Sequence, residues 1–221
     1  MPAAIIASGQ RLLMNANSST AVISGMMRAM KSLFLLALAA SVAVAAPAKS
    51  SKKYHFELTK VLVKPDVKAD VGAVAQPRVE AAIKKAFASN PQLVPIPDDA
   101  PADREADHGQ PFRKYLTKKG IAGAYLVTVE ITEASEEVVP MEDKKNSQRL
   151  VVHVGIHVLG ETIPGRTMGF TGDGQATVKQ EVGMKIREGD RTYAWDGAAE
   201  TAVADALKTC FEQLAKPKVK Q

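Results

Sequence analysis

The chain of 221 residues contains a single cysteine, Cys210. A lone cysteine excludes an intramolecular disulfide, so the fold must be held by its core alone. Cys210 lies on the apolar face of a predicted helix, where a cysteine is usually a small core residue. A reactive or intermolecular role for its thiol is the alternative.

Long apolar runs are also absent, since none reaches the roughly 20 residues that a membrane-spanning helix needs. The longest extends from Leu33 to Ala46, follows the cationic residues Arg28 and Lys31, and ends in small residues. This pattern is typical of a secretory signal peptide. We therefore predict that the mature protein is exported and has no stable membrane anchor.

We assign the signal segment to residues 1–48. Small-residue triplets that suit signal peptidase end at Ala45 and at Ala48, and cleavage after Ala48 leaves residues 49–221. No cysteine adjoins either position, which excludes a lipid-modified N-terminus on the mature chain.

Residues 1–25 precede the charged region and carry only one charge, Arg11. We expect the true start at Met26, Met27 or Met30. A long first part of the signal, or a second weak apolar segment, is the alternative.

The mature chain has little net charge of either sign. Removing the signal segment removes three basic residues and leaves 26 basic against 24 acidic side chains. A net charge of +2 is too small to indicate nucleic-acid binding, so nucleic acid is not an expected partner. The basic tails at 49–53 and 216–220 are most simply solvated, with contact to an anionic surface as the alternative. The length suits one domain, over residues 49–221.

Catalytic motifs are missing as well. The serines form no G-x-S-x-G elbow, and no histidine lies near Cys210 in sequence. The run from Gly169 to Gly174 lacks the lysine of a phosphate-binding loop, and no helix follows it immediately. It favours a bulge or a close backbone approach in a strand. Adjacent carboxylates lie in charged predicted loops rather than in the apolar setting of a catalytic acid. We expect no cofactor.

Hydrophobic periodicity predicts an alternation of strands and helices. The predicted strands are Tyr54–Val63, a short edge strand at Gln92–Pro97, Ala124–Thr132, Leu150–Leu159 and Arg166–Val178. The predicted helices are Pro77–Ser89, Phe112–Lys119 and Thr192–Lys216. The two strongest strands are expected to pair antiparallel across a connection from Ser135 to Gln148. This order predicts an α+β fold, with a single mixed, mainly antiparallel sheet and two to three helices packed on one face.

The order of elements resembles the small periplasmic domain shared by the TolB N-terminal region, the curli-secretion protein CsgG and the penicillin-binding-protein activator lipoproteins. The resemblance rests on the early RVEAAIKKAF helix, the proline-containing strand after it, the antiparallel meander and the final AAETAVADAL helix. The resemblance covers most of residues 54–215 and implies a non-enzymatic binding or assembly module that engages an envelope protein. The chain departs from the lipoprotein members by lacking their lipidated cysteine.

His153 and His157 lie on one face of a predicted strand, and Glu130 is expected on the neighbouring strand's outer face. Together they suggest a metal site, and a small metal-dependent envelope hydrolase is the alternative function. Residues four apart on a strand are about 13 Å apart, too far for both to bind one zinc without a bend. A solvated or helix-covered sheet face is the plainer interpretation, and a scaffold without a small ligand is a third hypothesis.

Tyr193 and Trp195 form an aromatic pair just before the predicted last helix. Aromatic side chains with a polar group are favoured at interfaces, which makes the pair a candidate partner-binding site. A hydrophobic staple that fixes the entry of the helix is the simpler interpretation.

Overall fold

The computed structural model describes residues 52–101 and 109–216, which belong to one compact unit. The signal segment, the acidic stretch 102–108 and the last five residues lie outside the described residues. The elements in chain order are β1 (Lys53–Val63), α1 (Ala69–Ser89), α2 (Gly109–Lys118), β2 (Ile121–Pro140), β3 (Ser147–Ile163), β4 (Met168–Gly183) and α3 (Glu188–Ala215).

The four strands form one sheet in the order β1-β2-β3-β4. β1 runs parallel to β2, and the other neighbours are antiparallel. The predicted α+β class and the antiparallel meander are therefore confirmed. Helices α1 and α3 share one core with the inner face of the sheet. Helix α2 packs on the opposite face, in a second cluster at one end. No helix within 52–101 or 109–216 is long and apolar enough to span a membrane.

The core follows the predicted alternation on β2 and β3. The apolar residues that alternate along these two strands are all buried, namely Tyr125, Val127, Val129, Ile131, Leu150, Val152, Val154, Ile156 and Val158. On β1 the alternation changes, because Thr59 is an extra residue in the register opposite β2. This bulge leaves Leu58 half-buried and brings Val61 into the core instead.

The run from Gly169 to Gly174 brings β4 close to α3. A Cβ atom on Gly174 would lie 2.0 Å from the carbonyl oxygen of Ala202, and one on Gly172 would lie 2.5 Å from that of Ala206. Gly169 is an extra residue in the register with β3. The run thus provides both a bulge and a close backbone approach, as its sequence predicts.

Helix α1 begins at Ala69, eight residues earlier than predicted, and Pro77 lies inside it. Proline cannot donate the intrahelical hydrogen bond to the carbonyl four residues before it, which is why Pro77 is typical of a helix start. Here the buried residues Gly72 and Ala75 extend the apolar face of the helix beyond the proline. Tertiary packing therefore outweighs the local preference.

Helix α3 also begins earlier than predicted. Its first turn includes Glu188, Gly189 and Asp190, and the backbone N–H of Arg187 donates to the Asp190 carboxylate at 3.1 Å. An acidic residue in this position stabilises a helix N-terminus. The adjacent Gly189 is not typical of a helix, so the sequence pattern did not indicate this start.

Most of the predicted connection from Ser135 to Gln148 is strand. β2 continues to Pro140 and β3 starts at Ser147, so only residues 141–146 connect them. Charged side chains interrupt the apolar alternation here, although Val138 pairs with Leu150 across the ladder. The predicted edge strand Gln92–Pro97 is reduced to a single parallel bridge between Tyr54 and Leu93.

Candidate functional site

The outer face of the sheet carries the two predicted histidines, each with its own partners. His157 Nδ1 lies 2.7 Å from a carboxylate oxygen of Asp173 on β4. His153 Nε2 lies 3.0 Å from Glu133 Oε2, and its Nδ1 lies 2.9 Å from the Thr177 hydroxyl. Each imidazole is therefore held by neighbouring strands.

Glu130 is the residue directly across from His157 in the β2–β3 ladder, as expected for a shared outer face. The structure thus places Glu130 beside one histidine, while His153 has different partners. Among the residues that the structure describes, no three His, Cys, Asp or Glu side chains gather in a group that could hold a metal ion.

Trp195 and Tyr193 lie inside α3 and differ sharply in exposure. Trp195 is 2% exposed, and its indole N–H donates to Glu136 Oε2 at 2.8 Å. Arg191 Nε donates to the other Glu136 oxygen at 2.9 Å. Tyr193 is 70% exposed. Because α3 starts at Glu188, both aromatic residues lie within the helix and not at its entry, so the hydrophobic-staple interpretation is wrong. Of the two, only Tyr193 has a side chain exposed to a partner.

Cys210 is fully buried on α3, with its sulfur beside Gly172. A Cβ atom on that glycine would lie 2.4 Å from Sγ, so the glycine provides the space that the thiol occupies. Burial raises the pKa of the Cys210 thiol to about 12. The buried setting confirms the interpretation of Cys210 as a core residue.

We expect iodoacetamide to leave Cys210 unmodified at pH 8 in the folded protein and to alkylate it readily in 6 M guanidinium. The folded thiol is both inaccessible and protonated, and the thiolate is the nucleophile. Because burial disfavours the thiolate, the folded protein keeps this proton to a higher pH than the unfolded chain does. Its stability therefore falls as the pH rises from the unfolded pKa of about 9 towards 12. Mass spectrometry measures the labelling. Modification at equal rates in both states would contradict a buried thiol.

The sequence analysis missed a free edge on β2. The pairing of β1 with β2 ends at Val63 and Ile131, and Lys64 donates the last hydrogen bond, 3.0 Å to the carbonyl of Ile131. β2 continues for nine more residues, from Thr132 to Pro140. Thr132 is an extra residue in the register with β3, and the other eight pair with β3 alone. No other strand of the described residues covers this stretch. We call residues 132–140 the free edge.

A cleft of about 570 Å³ borders the first part of the free edge. The loop after β1 and the start of α1 form its other wall. Its apolar lining is Val67, Val71 and Ala134, and its charged lining is Lys64, Asp66, Lys68, Glu133, Glu136 and Glu137. Beyond the cleft, Val138 and Val139 are 42% and 43% exposed. The free edge therefore combines unpaired backbone with exposed apolar side chains.

β4 is the other open edge of the sheet, but its exposed side chains differ. From residue 173 to residue 181 they are all polar or charged, namely Asp173, Gln175, Thr177, Lys179 and Glu181. Such side chains are typical of an edge protected against pairing. The free edge of β2 has two adjacent exposed valines instead.

No protein-family model matches the chain, and no curated protein matches its sequence. Solved structures with weak similarity include a DUF330 protein from Xanthomonas campestris, with 8% identity over 76% of this chain and 91% of that one, at a TM-score of 0.38. A minor lipoprotein from Acinetobacter baumannii shows 12% identity over 76% and 98%, at 0.34. A hypothetical protein from Chlamydia trachomatis shows 16% over 74% and 94%, at 0.33. Because these TM-scores lie below 0.5, we take no function or partner from these proteins.

Proposed function

We propose that this protein is an exported, non-enzymatic binding module of the cell envelope that takes up an extended segment of another envelope protein along the free edge of β2. The single observation that carries the proposal is the nine-residue stretch from Thr132 to Pro140, which has β3 on one side and, among the described residues, no strand on the other. The signal-type segment before Lys49 supports export.

The backbone supplies the affinity in this type of recognition. An extended peptide that adds to a sheet edge forms main-chain hydrogen bonds, and pockets for alternate side chains give specificity. Nine residues exceed the usual strand length of five or six, so the free edge can hold a whole added strand. β2 is already fixed on its β3 side, and little ordering of this protein is needed on binding.

The side chains beside the free edge indicate the character of the partner segment. Val67 and Val71 line the cleft, and Val138 and Val139 are exposed beyond it. Because side chains of a strand alternate between faces, the adjacent Val138 and Val139 lie on opposite faces of β2. A segment with apolar residues at every second position would therefore bury them against the valines of one face only. The charged lining has both signs, so the segment needs no strong net charge.

Site-specific crosslinking tests the proposal in the producing cell. A photo-crosslinking residue at position 139 is expected to capture one envelope protein through an extended segment. The same residue at position 175, on the polar β4 edge, is the matched control and is expected to give no such product. A synthetic peptide of the captured segment should then bind the purified protein and protect the backbone amides of residues 132–140 from hydrogen exchange.

The double substitution Val138→Lys with Val139→Lys is expected to weaken binding of that peptide at least tenfold. Charged side chains at an open edge disfavour strand addition, while exposed substitutions change stability by only about 0.5 kcal/mol each. Gln175→Lys, which adds the same side chain to the other edge, should leave the affinity within twofold. Equal capture from both edges, or tight binding by the double variant, would refute a site at the free edge.

A further inference from the structure

Two contacts show how the backbone of the free edge is turned. The carbonyl of Ile131 accepts from the backbone N–H of Lys64, so Ile131 is turned away from β3. Thr132 is the extra residue that follows, and Glu133 pairs with Gly155 of β3. A Cβ atom on Gly155 would lie 3.1 Å from the Thr132 hydroxyl oxygen and 3.2 Å from the Cβ of Glu133. Both residues therefore oppose Gly155 and form one step of the ladder.

The unpaired N–H and C=O groups belong to every second residue of the free edge. Successive residues of an antiparallel strand turn these groups to alternate sides. After the step at Gly155, the residues that turn them to the open side are Ala134, Glu136 and Val138. An added strand would bond to these three residues, whereas Ser135 and Glu137 are turned towards β3.

The inner side of the free edge offers apolar contacts. Val138 is 42% exposed there, and Val71 of α1 packs against the core on the same side and lines the cleft. Both carboxylate oxygens of Glu136 already accept, one from Trp195 and the other from Arg191. A segment that adds here can therefore place apolar residues on the inner side without leaving the Glu136 carboxylate unpaired.

The outer side of the free edge carries two glutamates in different settings. Glu133 Oε2 lies 3.0 Å from His153 Nε2. Glu137 is exposed and forms no ion pair with any described residue. Arg149 lies diagonally across from Glu137, but its direct neighbours in the ladder are Val139 and Glu181. The position directly across from Glu137 on the open side therefore has no cation among the described residues.

We propose that the free edge takes an alternating segment, with apolar residues towards the inner face of the sheet and a lysine or arginine directly across from Glu137. This rests on the proposed function and adds the class of segment to it. Oppositely charged side chains directly across a strand pair stabilise the pair, and like charges destabilise it. The neighbours of the basic residue would then lie across from Glu136 and Val138 and face the inner side.

A second copy of the chain fits the free edge less well than such a segment. Antiparallel pairing of two free edges centred on Ser135 places Glu137 of one copy opposite Glu133 of the other. Pairing centred on Glu136 or on Glu137 places two identical glutamates opposite each other. Each of these registers sets like charges across the new pair, which disfavours it.

Three synthetic peptides test the charge at this position. The first is Val-Thr-Val-Lys-Val-Thr-Val, which reads the same in both directions, so the result does not depend on the direction in which it adds. The others have glutamine or glutamate in place of the lysine. We expect the lysine peptide to bind about fivefold tighter than the glutamate peptide at low ionic strength, with the glutamine peptide between them. Binding should protect the amides of Ala134, Glu136 and Val138 from hydrogen exchange and leave those of Ser135 and Glu137 little changed.

Substitutions at Glu137 separate its charge from the backbone contacts. Glu137→Gln should bring the lysine and glutamate peptides within about twofold of each other, and Glu137→Lys should reverse their order. Glu130→Gln is the matched control, because Glu130 lies on the same face of β2 where β1 already pairs with that strand. This variant should keep the full preference for lysine.

The outcomes distinguish this class of segment from strand addition itself. Equal affinity for all three peptides with protected amides would overturn the basic residue and leave the proposed function standing. A crosslinked segment from position 139 without a basic residue across from Glu137 would do the same. No peptide binding together with no crosslink would overturn both. A dimer of the purified chain held through residues 132–140, measured by sedimentation, would replace the segment by a second copy and overturn this proposal.

Discussion

Replacing Gly174 by alanine is expected to destabilise the protein by about 3 kcal/mol or more. The added Cβ would lie 2.0 Å from the carbonyl oxygen of Ala202 and 2.6 Å from the amide nitrogen of Ala206. Both atoms belong to the backbone of α3, so no side chain can rotate away and the helix itself must move. Overpacking a close contact typically costs 1–3 kcal/mol, and a rigid neighbour places this case at the upper end.

Gly183→Ala is the matched control, because it lies on the same strand and a Cβ there meets nothing within 4 Å. We expect it to change the free energy of unfolding by less than about 0.5 kcal/mol. Urea unfolding monitored by circular dichroism measures both variants. If Gly174→Ala were as stable as Gly183→Ala, the close packing of α3 on β4 would be incorrect.

Trp195→Ala is expected to cost about 3–5 kcal/mol of unfolding free energy. The side chain is among the largest that are fully buried, and its removal leaves a cavity between α3 and the sheet. It also removes the indole N–H that donates to Glu136, a carboxylate then held by Arg191 alone. Trp195→Phe fills most of the space and loses only this donor, so a cost of roughly 1–3 kcal/mol is expected.

Tyr193→Ala serves as the control for Trp195→Ala, two positions away on the same helix. Tyr193 is 70% exposed, and its loss should change stability by less than about 0.5 kcal/mol. Because Trp195 is the only tryptophan, unfolding is followed by circular dichroism rather than by fluorescence. A cost for Trp195→Ala no larger than that for Tyr193→Ala would contradict the burial of the indole.

This difference also decides how a partner role for the aromatic pair can be tested. Alanine substitution of both Tyr193 and Trp195 would weaken the fold through the loss of Trp195. Loss of partner binding in that variant could therefore not be attributed to the exposed side chain. Tyr193→Ala alone leaves the fold intact and tests the exposed side chain. The partner-binding role of Tyr193 remains a prediction, separate from the free edge of β2.

Local periodicity was sufficient to predict which residues of the two central strands are buried. The alternation in β2 and β3 identifies every inward residue from Tyr125 to Ile131 and from Leu150 to Val158, since one face of each strand must be apolar. The boundaries were less predictable. Pro77 and Gly189 are typical of helix boundaries, yet both lie within helices. Buried Gly72 and Ala75 extend α1 beyond its proline, whereas the Asp190 carboxylate stabilises the earlier start of α3.

The candidate sites were predictable only in part. The shared outer face of Glu130 and His157 follows from strand alternation, but their partners on other strands depend on the register. The free edge could not be predicted, because the sequence does not show where β1 stops pairing with β2. The cleft beside the free edge likewise needs residues from the loop after β1, the start of α1 and β2, which are distant in sequence.

The sequence by itself determined the α+β class, the buried faces of the central strands and the buried character of Cys210. These depend on local patterns of apolar and small residues, which each segment carries independently of its neighbours. Only the tertiary structure decided which edge of the sheet is open, that Trp195 is buried while Tyr193 is exposed, and that Val71 and Ala134 line one cleft. These depend on strand register and helix docking, and both are set by contacts between segments far apart in the chain.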